Sequence, residues 1–419
     1  MIRPPRPPAE LGRAEFTMML AMVMALQALG IDTMLPALGE MAVDLGASDP
    51  NHRQLIVGSY LIGMGAGSLV FGFLADRFGR RRVLLAGIAT YCCFDFLCMV
   101  IDSFPMMIAF RFANGMVASA GAVIANAVVR DKYEGDAMAS MVSMIAVVFM
   151  VVPVLAPTIG QAILLFAGWR SIFGLMFAMG IIMFCWVYLR LAETMHPDHR
   201  QDLDLGRVGR NFRTILTNRD AVGYVFGATL VFGGLYGYLN SSEQLVAHHF
   251  GLGEKFAYVF GGMALCMAAS NFVNARIVEK FGARRVSHSA LLLFVVMAGL
   301  QWLAAHYAPD NFWLFAPLMA VNLSLIGFLG ANFSSIALQP FRHFAGSASS
   351  LQNAMRVGGG AILGALVGSA YDGTAQPVGM SMFLFSLLGL LLVLFSEKGK
   401  LFRRRKETVT QVAGPIGPK

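Results

Sequence analysis

Two side chains of opposite charge, Asp32 and Arg111, stand inside long apolar stretches, where an ion costs about 2.5 to 3.5 kcal/mol at a helix centre. Asp32 lies 17 residues past Glu15 and Arg111 six residues past Pro105. At about 1.5 Å of rise per residue they sit roughly 26 Å from one membrane face and roughly 9 Å from the other. In a hydrocarbon layer about 30 Å thick those depths nearly coincide. A pair between them is feasible, directly or through Asn114, one turn along the face of Arg111. Burial and a guanidinium act on a carboxyl's proton affinity in opposite senses, so such an acid can trade its proton for a competing solute. Arg111 as a purely structural counter-ion is the other reading.

Other groups bear on the same chemistry. Arg356 lies one turn after Gln352 and beside Gly358 to Gly360; it contacts an anionic or zwitterionic solute, or pairs with Glu243 or Asp95. Asp95 and Glu243 are secondary proton sites. Tyr236, Tyr238 and Asn240 line a cavity or serve packing, and Asn114, Gln352 and Arg356 are expected with Tyr236 and Asn240 at a substrate cavity. No HExxH, P-loop, GxSxG or Cys/His cluster occurs, so neither an enzyme, a metal site nor a bound cofactor is expected, and any work must come from an ion gradient.

These residues need long helices to place them. Of 419 residues 57% are hydrophobic and 13% charged, against about 25% charged in soluble domains. Twelve apolar segments long enough to cross a bilayer lie near 15–37, 53–75, 83–101, 105–130, 138–165, 169–190, 220–246, 256–279, 286–306, 312–339, 345–370 and 378–396. Of the 32 Lys and Arg, the odd-numbered links hold only Arg53, Arg170 and Lys255. With Arg111 and Arg356 inside spans, every other one falls in the tails and even links, so both termini are expected in the cytoplasm. The net charge of +8 is spread over short rims beside apolar helices, which suits anionic lipid headgroups and not nucleic acid. All five cysteines fall inside spans, so disulfides are not expected.

The chain also repeats itself. GFLADRFGRRRV at Gly72 to Val83 returns as ARIVEKFGARRV at Ala275 to Val286, an offset of 203 residues. Both copies end an apolar segment, turn at a glycine and place arginines before the next segment. Two similar membrane halves imply a site between them. The expected organisation is a disordered lead-in at 1–14, a six-helix bundle at 15–190, a linker at 191–218, a second bundle at 219–396 and a basic tail at 397–419. Within the linker, Leu203, Leu205, Val208, Phe212, Ile215 and Leu216 fall roughly at helical spacing for a short surface helix.

GFLADRFGRRRV resembles the loop 2–3 signature of the major facilitator superfamily, with Gly72, Asp76, Arg77, Gly79, Arg81 and Arg82 in its positions. LGIDTMLPAL at Leu29 to Leu38, RFANGMVASAGAVIANAVVRD at Arg111 to Asp131 and PVLAPTIGQ at Pro153 to Gln161 are similar to the drug:proton antiporters of that superfamily, in particular the Bcr/CflA-type multidrug exporters. Asn114 stands where relatives commonly carry glutamine, Gln161 where they have a second glycine, and Met24 where some carry a second acid.

The resemblance implies an all-α membrane protein of twelve helices in two pseudo-symmetric halves, a monomer of the bacterial inner membrane that exports drugs or amphiphilic metabolites in exchange for protons. Asp32 and Arg111 would couple the proton. Pro153, Pro157 and Gly160 would shape a gate. Asp76 would latch the halves by accepting hydrogen bonds at the start of span 11, with Glu279 doing so more weakly against span 5. A proton-coupled importer and a non-transporting membrane receptor are the alternatives.

Overall fold

The computed structural model describes residues 11–195 and 205–402. The lead-in to residue 10, the linker stretch 196–204 with Leu203, and the tail from 403 lie outside the described residues. Among the described residues every regular element is helical. The membrane helices are α1 (Arg13–Asp32), continued through a turn at Leu35–Ala37 by α2 (Leu38–Asp44), then α3 (Gln54–Phe78), α4 (Arg80–Val100), α5 (Phe104–Lys132), α6 (Gly135–Phe166) and α7 (Arg170–Arg190). After the linker helix α8 (Leu205–Thr217) come α9 (Arg219–Glu243), α10 (Phe256–Phe281), α11 (Ala283–Tyr307) and α12 (Phe312–Leu338). A divided span of α13 (Ala345–Ala354) and α14 (Gly360–Ser369) follows, and α15 (Gln376–Ser396) ends the series.

Among the described residues eleven helices are long and apolar enough to cross a membrane. The expected eleventh span is not among them: it is helical from 345 to 369, with a π-helical turn at Met355–Gly359 between α13 and α14, but is less apolar because it carries Gln352, Asn353 and Arg356. The first span is longer than its apolar run suggested: Pro36 breaks the α-helical ladder at the Leu35–Ala37 turn, and the chain then resumes as α2. Arg13 and Ala14, expected in the lead-in, are already helical. In the linker helix Ile215 is buried while Leu216 is 39% exposed, so only part of the expected apolar stripe faces the bundle.

Each repeat turn is a single glycine. Gly79 (φ 101°) and Gly282 (φ 82°) end α3 and α10, and the next helix begins at the following residue. That backbone region is closed to most side chains. At Gly79 space matters too: a Cβ would sit 2.5 Å from Glu193 Oε2. Glu193 Oε1 accepts the backbone N–H of Arg80 at 2.8 Å and Oε2 that of Arg81 at 3.2 Å, an anion on the first turn of α4.

The most extensive packing in the first half joins α3 to α5. A Cβ on Gly63 would lie 2.0 Å from the Phe112 carbonyl oxygen, and one on Gly115 would lie 2.0 Å from that of Tyr60. No larger residue allows this approach, and it brings Arg111 against Ile56 and Tyr60. Across the halves, α3 packs along the divided span, with Gly65 against Gly358. The π-helical turn therefore falls at a close approach of the halves.

Candidate functional site

Arg111 is fully buried, and of its two expected partners it meets Asn114 but not Asp32. Nη2 donates to the Gly30 carbonyl at 2.6 Å, Nε to the Ile56 carbonyl at 3.3 Å and Nη1 to Asn114 Oδ1 at 3.2 Å. The guanidinium lies 4.1 Å from the Tyr60 ring centroid. The depth match held, since Gly30 is two residues before Asp32, but Arg111 grips the backbone of α1 and not the Asp32 carboxylate. Tyr60 and Tyr91 add to that grip, donating to the carbonyls of Gln27 and Leu26 at 3.2 Å each. The acid Arg111 does reach, through one amide, is Asp95: Asn114 Nδ2 donates to Asp95 Oδ1 at 3.1 Å.

Asp32 itself is 6% exposed and has no hydrogen-bond or ion-pair partner among the described residues. Its carboxylate oxygens retain accessible surface, whereas Asp95 Oδ2 is enclosed without a partner. Gly160 explains how Asp32 is held at the junction of α1 and α6: a Cβ there would lie 1.8 Å from the carbonyl oxygen of Thr33. Only glycine lets α6 touch the backbone beside the acid. α6 runs without interruption through Pro153 and Pro157, each of which removes a backbone donor.

On the second half, Arg356 leaves the π-helical turn over the Phe232 ring at 4.7 Å and donates to Asn353 Oδ1 at 2.8 Å. Neither acid proposed for it is its partner: Glu243 is held by Arg53 and Asp95 by Asn114. Phe232 meets Tyr236 edge to face at 5.9 Å. Tyr238 points instead into α10, donating to Met263 sulfur at 2.8 Å. Asn240 and Gln352 are buried, and both polar atoms of Asn240 and Nε2 of Gln352 lack partners. Unpaired buried polar atoms are uncommon and mark places where water or a ligand completes the bonding.

At the end away from the termini the halves are laced together. Arg53 Nη1 lies 3.0 Å from Glu243 Oε2, and His248 Nε2 lies 3.1 Å from Glu243 Oε1. The side chains of Gln54 and Gln244 meet, and Asn51 Nδ2 donates to the Tyr371 carbonyl at 2.9 Å. Gln161 joins α6 to the start of α10, donating to the carbonyls of Gly253 and Glu254 at 3.2 and 3.1 Å. Glu243 stands out in the sequence as a proton site and Gln161 as a departure from the family's glycine, but the seam they join does not, because its other members are ordinary loop-edge polar residues. Arg53→Gln leaves Glu243 with His248 alone. In a cysteine-less background, a reporter cysteine at buried Ser241 should then label about tenfold faster, equivalent to about 1.4 kcal/mol; an unchanged rate would mean the ion pair does not hold this end closed.

At the end bearing the Gly79 and Gly282 turns, Asp76 receives no hydrogen bond from α13 among the described residues. It pairs with Arg80, which also donates to Asp131 at 3.1 Å. Arg80 is four residues on, just across the Gly79 turn, and a charged partner so close outcompetes a distant helix end. α3 still approaches α13, with the Cβ position of Gly72 3.4 Å from Ser350 Oγ. Arg81 donates to the Tyr188 carbonyl at 2.7 Å, Arg77 lies 5.4 Å from the Phe78 ring, and Glu279 is exposed. Arg80, Glu193 and Asp131 are the members of this cluster that sequence reasoning missed.

The second half has its own clasp. The Phe402 N–H donates to His288 Nδ1 at 3.0 Å, His288 Nε2 lies 2.8 Å from Tyr224 Oη, and Tyr224 Oη donates to Glu397 Oε1 at 2.7 Å. Arg284 Nε donates to the same oxygen at 2.9 Å. Residues 397–402, expected to begin the basic tail, are thus folded against the bundle. Burial acts to raise the Glu397 carboxyl, but the bonds from Tyr224 and Arg284 prevail and hold it below the usual carboxylate range. A depressed acid stabilises above its unfolded value and loses that contribution as pH falls through its folded value. Glu397→Gln should therefore lower thermal stability at neutral pH, by on the order of 2 kcal/mol, and match the wild type once both are measured in strong acid.

Two helical halves about a shared seam, with ionisable groups buried on both sides, define a membrane transporter. The model of the Major Facilitator Superfamily matches residues 20–365, and the chain belongs to that family. It is 29% identical over 390 residues to a bicyclomycin resistance protein homolog of Haemophilus influenzae, covering 93% of this chain and 98% of that protein. It is 28% identical over 376 residues to the multidrug resistance protein MdtL of Klebsiella pneumoniae, covering 87% and 92%. Among solved structures it superposes on the xylose transporter XylE of E. coli in a partially occluded inward open conformation, with a TM-score of 0.67 at 14% identity, covering 91% and 97%. The chain thus shares the fold of a solved transporter and is similar over most of its length to two proteins named for drug resistance.

Proposed function

We propose that this protein exports drugs or amphiphilic metabolites across a bacterial inner membrane in exchange for protons, as a monomer with both termini in the cytoplasm. The observation that carries the reading is Asp32: a buried carboxyl with no partner among the described residues, open to accessible space and set beside the Gly160 contact. An intramembrane acid held at such cost is functional by default. Its bond-free state suits an acid that must trade its proton for cargo, while Arg111, Asn114 and Asp95 fix the helix that bears it. The names of the relatives, bicyclomycin resistance and multidrug resistance, support drug efflux. The six-helix bundles at 15–190 and 219–396 then rock about the seam. Asp76, Arg77, Gly79 and Arg81 act with Arg80 on the cytoplasmic side, and Arg53 with Glu243 on the outer side.

One proton moving inward yields about 2.3 kcal/mol per 100 mV and about 1.4 kcal/mol per pH unit, enough for roughly a 500-fold gradient of a neutral solute. Tyr236, Asn240, Gln352 and Arg356 supply the cargo contacts of the second half. Because Arg356 has no acidic partner among the described residues, anionic and zwitterionic compounds belong in the test set beside neutral and cationic ones. Cells expressing the protein should gain resistance to some members of such a panel, and inverted vesicles should accumulate those members when acidified inside. Uptake by right-side-out vesicles driven by inward proton flow would instead make it an importer.

A further inference from the structure

Two grooves open on the outer surface of the bundle at the end bearing the termini, and they are copies of one another. One, of 390 Å³, is lined by Leu74, Phe78, Arg82 and Ala86. The other, of 660 Å³, is lined by Ile277, Phe281, Arg285 and Ser289. Each residue of the second set is its counterpart in the first moved by the 203-residue repeat offset. Three further lining positions obey the same relation. The duplication has therefore kept a concave surface as well as the turn that the repeat encodes.

The walls are apolar and face outward: Phe78 is 49% exposed, Phe281 50% and Leu293 48%. Large side chains exposed to this degree on a membrane helix meet hydrocarbon. Each groove nevertheless carries one cation at its rim. Arg80, Arg81 and Arg284 are taken up by Asp76, Asp131, the Tyr188 carbonyl and Glu397. Arg82 and Arg285 are exposed, and neither has a hydrogen bond or ion pair to any described residue. An occupant must have a long apolar part to fill the groove and an anionic head within reach of one guanidinium at the membrane surface. Basic pockets between membrane helices favour such lipids, and a planar guanidinium matches phosphate geometry.

We infer that each groove is a binding site for one anionic phospholipid of the leaflet at the terminal end, with an acyl chain along the apolar wall and its phosphate on Arg82 or Arg285. The sites lie outside the seam between the halves and stand independently of what the protein transports. The larger groove is closed on one side by Phe402, whose backbone is fastened to His288, so the clasp of residues 397–402 supplies a wall to one lipid site and not to the other.

The test is a count of retained phosphatidylglycerol by native mass spectrometry of protein released from phosphatidylglycerol or phosphatidylcholine nanodiscs. The wild type should keep two phosphatidylglycerol molecules beyond the phosphatidylcholine control. Arg82→Gln and Arg285→Gln should each lose one, and the double variant both. Ala86→Trp and Ser289→Trp, at exposed positions that tolerate bulk, fill the grooves while leaving the arginines in place, and should likewise lose one each. A double arginine variant that keeps both lipids overturns the inference. So does loss in the arginine variants with full retention in the tryptophan ones, which would reduce the effect to attraction at a charged rim.

Discussion

Asp32→Asn is expected to abolish proton-driven efflux while leaving the protein folded in the membrane. The substitution keeps the size of a side chain that makes no bond among the described residues, so nothing in the packing is lost. What disappears is the charge that the proton and the cargo would share. Without a coupled proton the roughly 500-fold gradient that one proton can support collapses to equilibration. Cells should then show the sensitivity of an empty-vector control, with membrane expression and thermal stability near wild type. Asp32→Glu should restore part of the activity. Normal efflux with an intact pH dependence in Asp32→Asn would remove the residue from the mechanism.

Arg111→Lys is expected to fail for a different reason, and the contrast separates the two roles. Arg111 holds three acceptors on three elements, at Gly30, Ile56 and Asn114, and stacks on Tyr60. A lysine carries a single point of donation and cannot span them. It should leave the Gly30 and Ile56 carbonyls without their additional bonds and loosen the segment of α1 before Asp32. The expected loss is about 3 kcal/mol or more of stability, the cost of disrupting a buried charged network, together with most of the transport. Since Arg111 does not touch Asp32, a residual activity in Arg111→Lys should keep its wild-type pH profile. A shifted profile at wild-type stability would instead make Arg111 a direct partner of the proton.

The sequence was informative along the helix axes and poor around them. Rise per residue placed Asp32 and Arg111 at one depth, and the contact of Arg111 with Gly30 agrees. Which way each side chain points is fixed by packing, here by Gly63 and Gly115 bringing α3 against α5, and no periodicity predicts that rotation. The repeat located the turns at Gly79 and Gly282, both at positive φ. It could not reveal that Asp76 would turn to Arg80, because that choice depends on where the chain goes after the turn. Glu193 and Glu397 escaped notice because each acts on a helix start more than a hundred residues away in sequence. The division of the eleventh span by a π-helical turn had a cue in GGG at Gly358 to Gly360, which was readable as small-residue packing alone.

Competition of cargo and proton for Asp32, the proposed coupling step, is read most directly by a pH electrode. Purified protein in weakly buffered detergent solution, titrated from acid to alkaline pH, should release protons when a transported compound is added. The release should pass through a maximum where the empty site still holds its proton, and it should vanish in Asp32→Asn although the variant still binds the compound. Binding of the compound to the wild type with no proton released at any pH, or equal release from Asp32→Asn, would contradict the account.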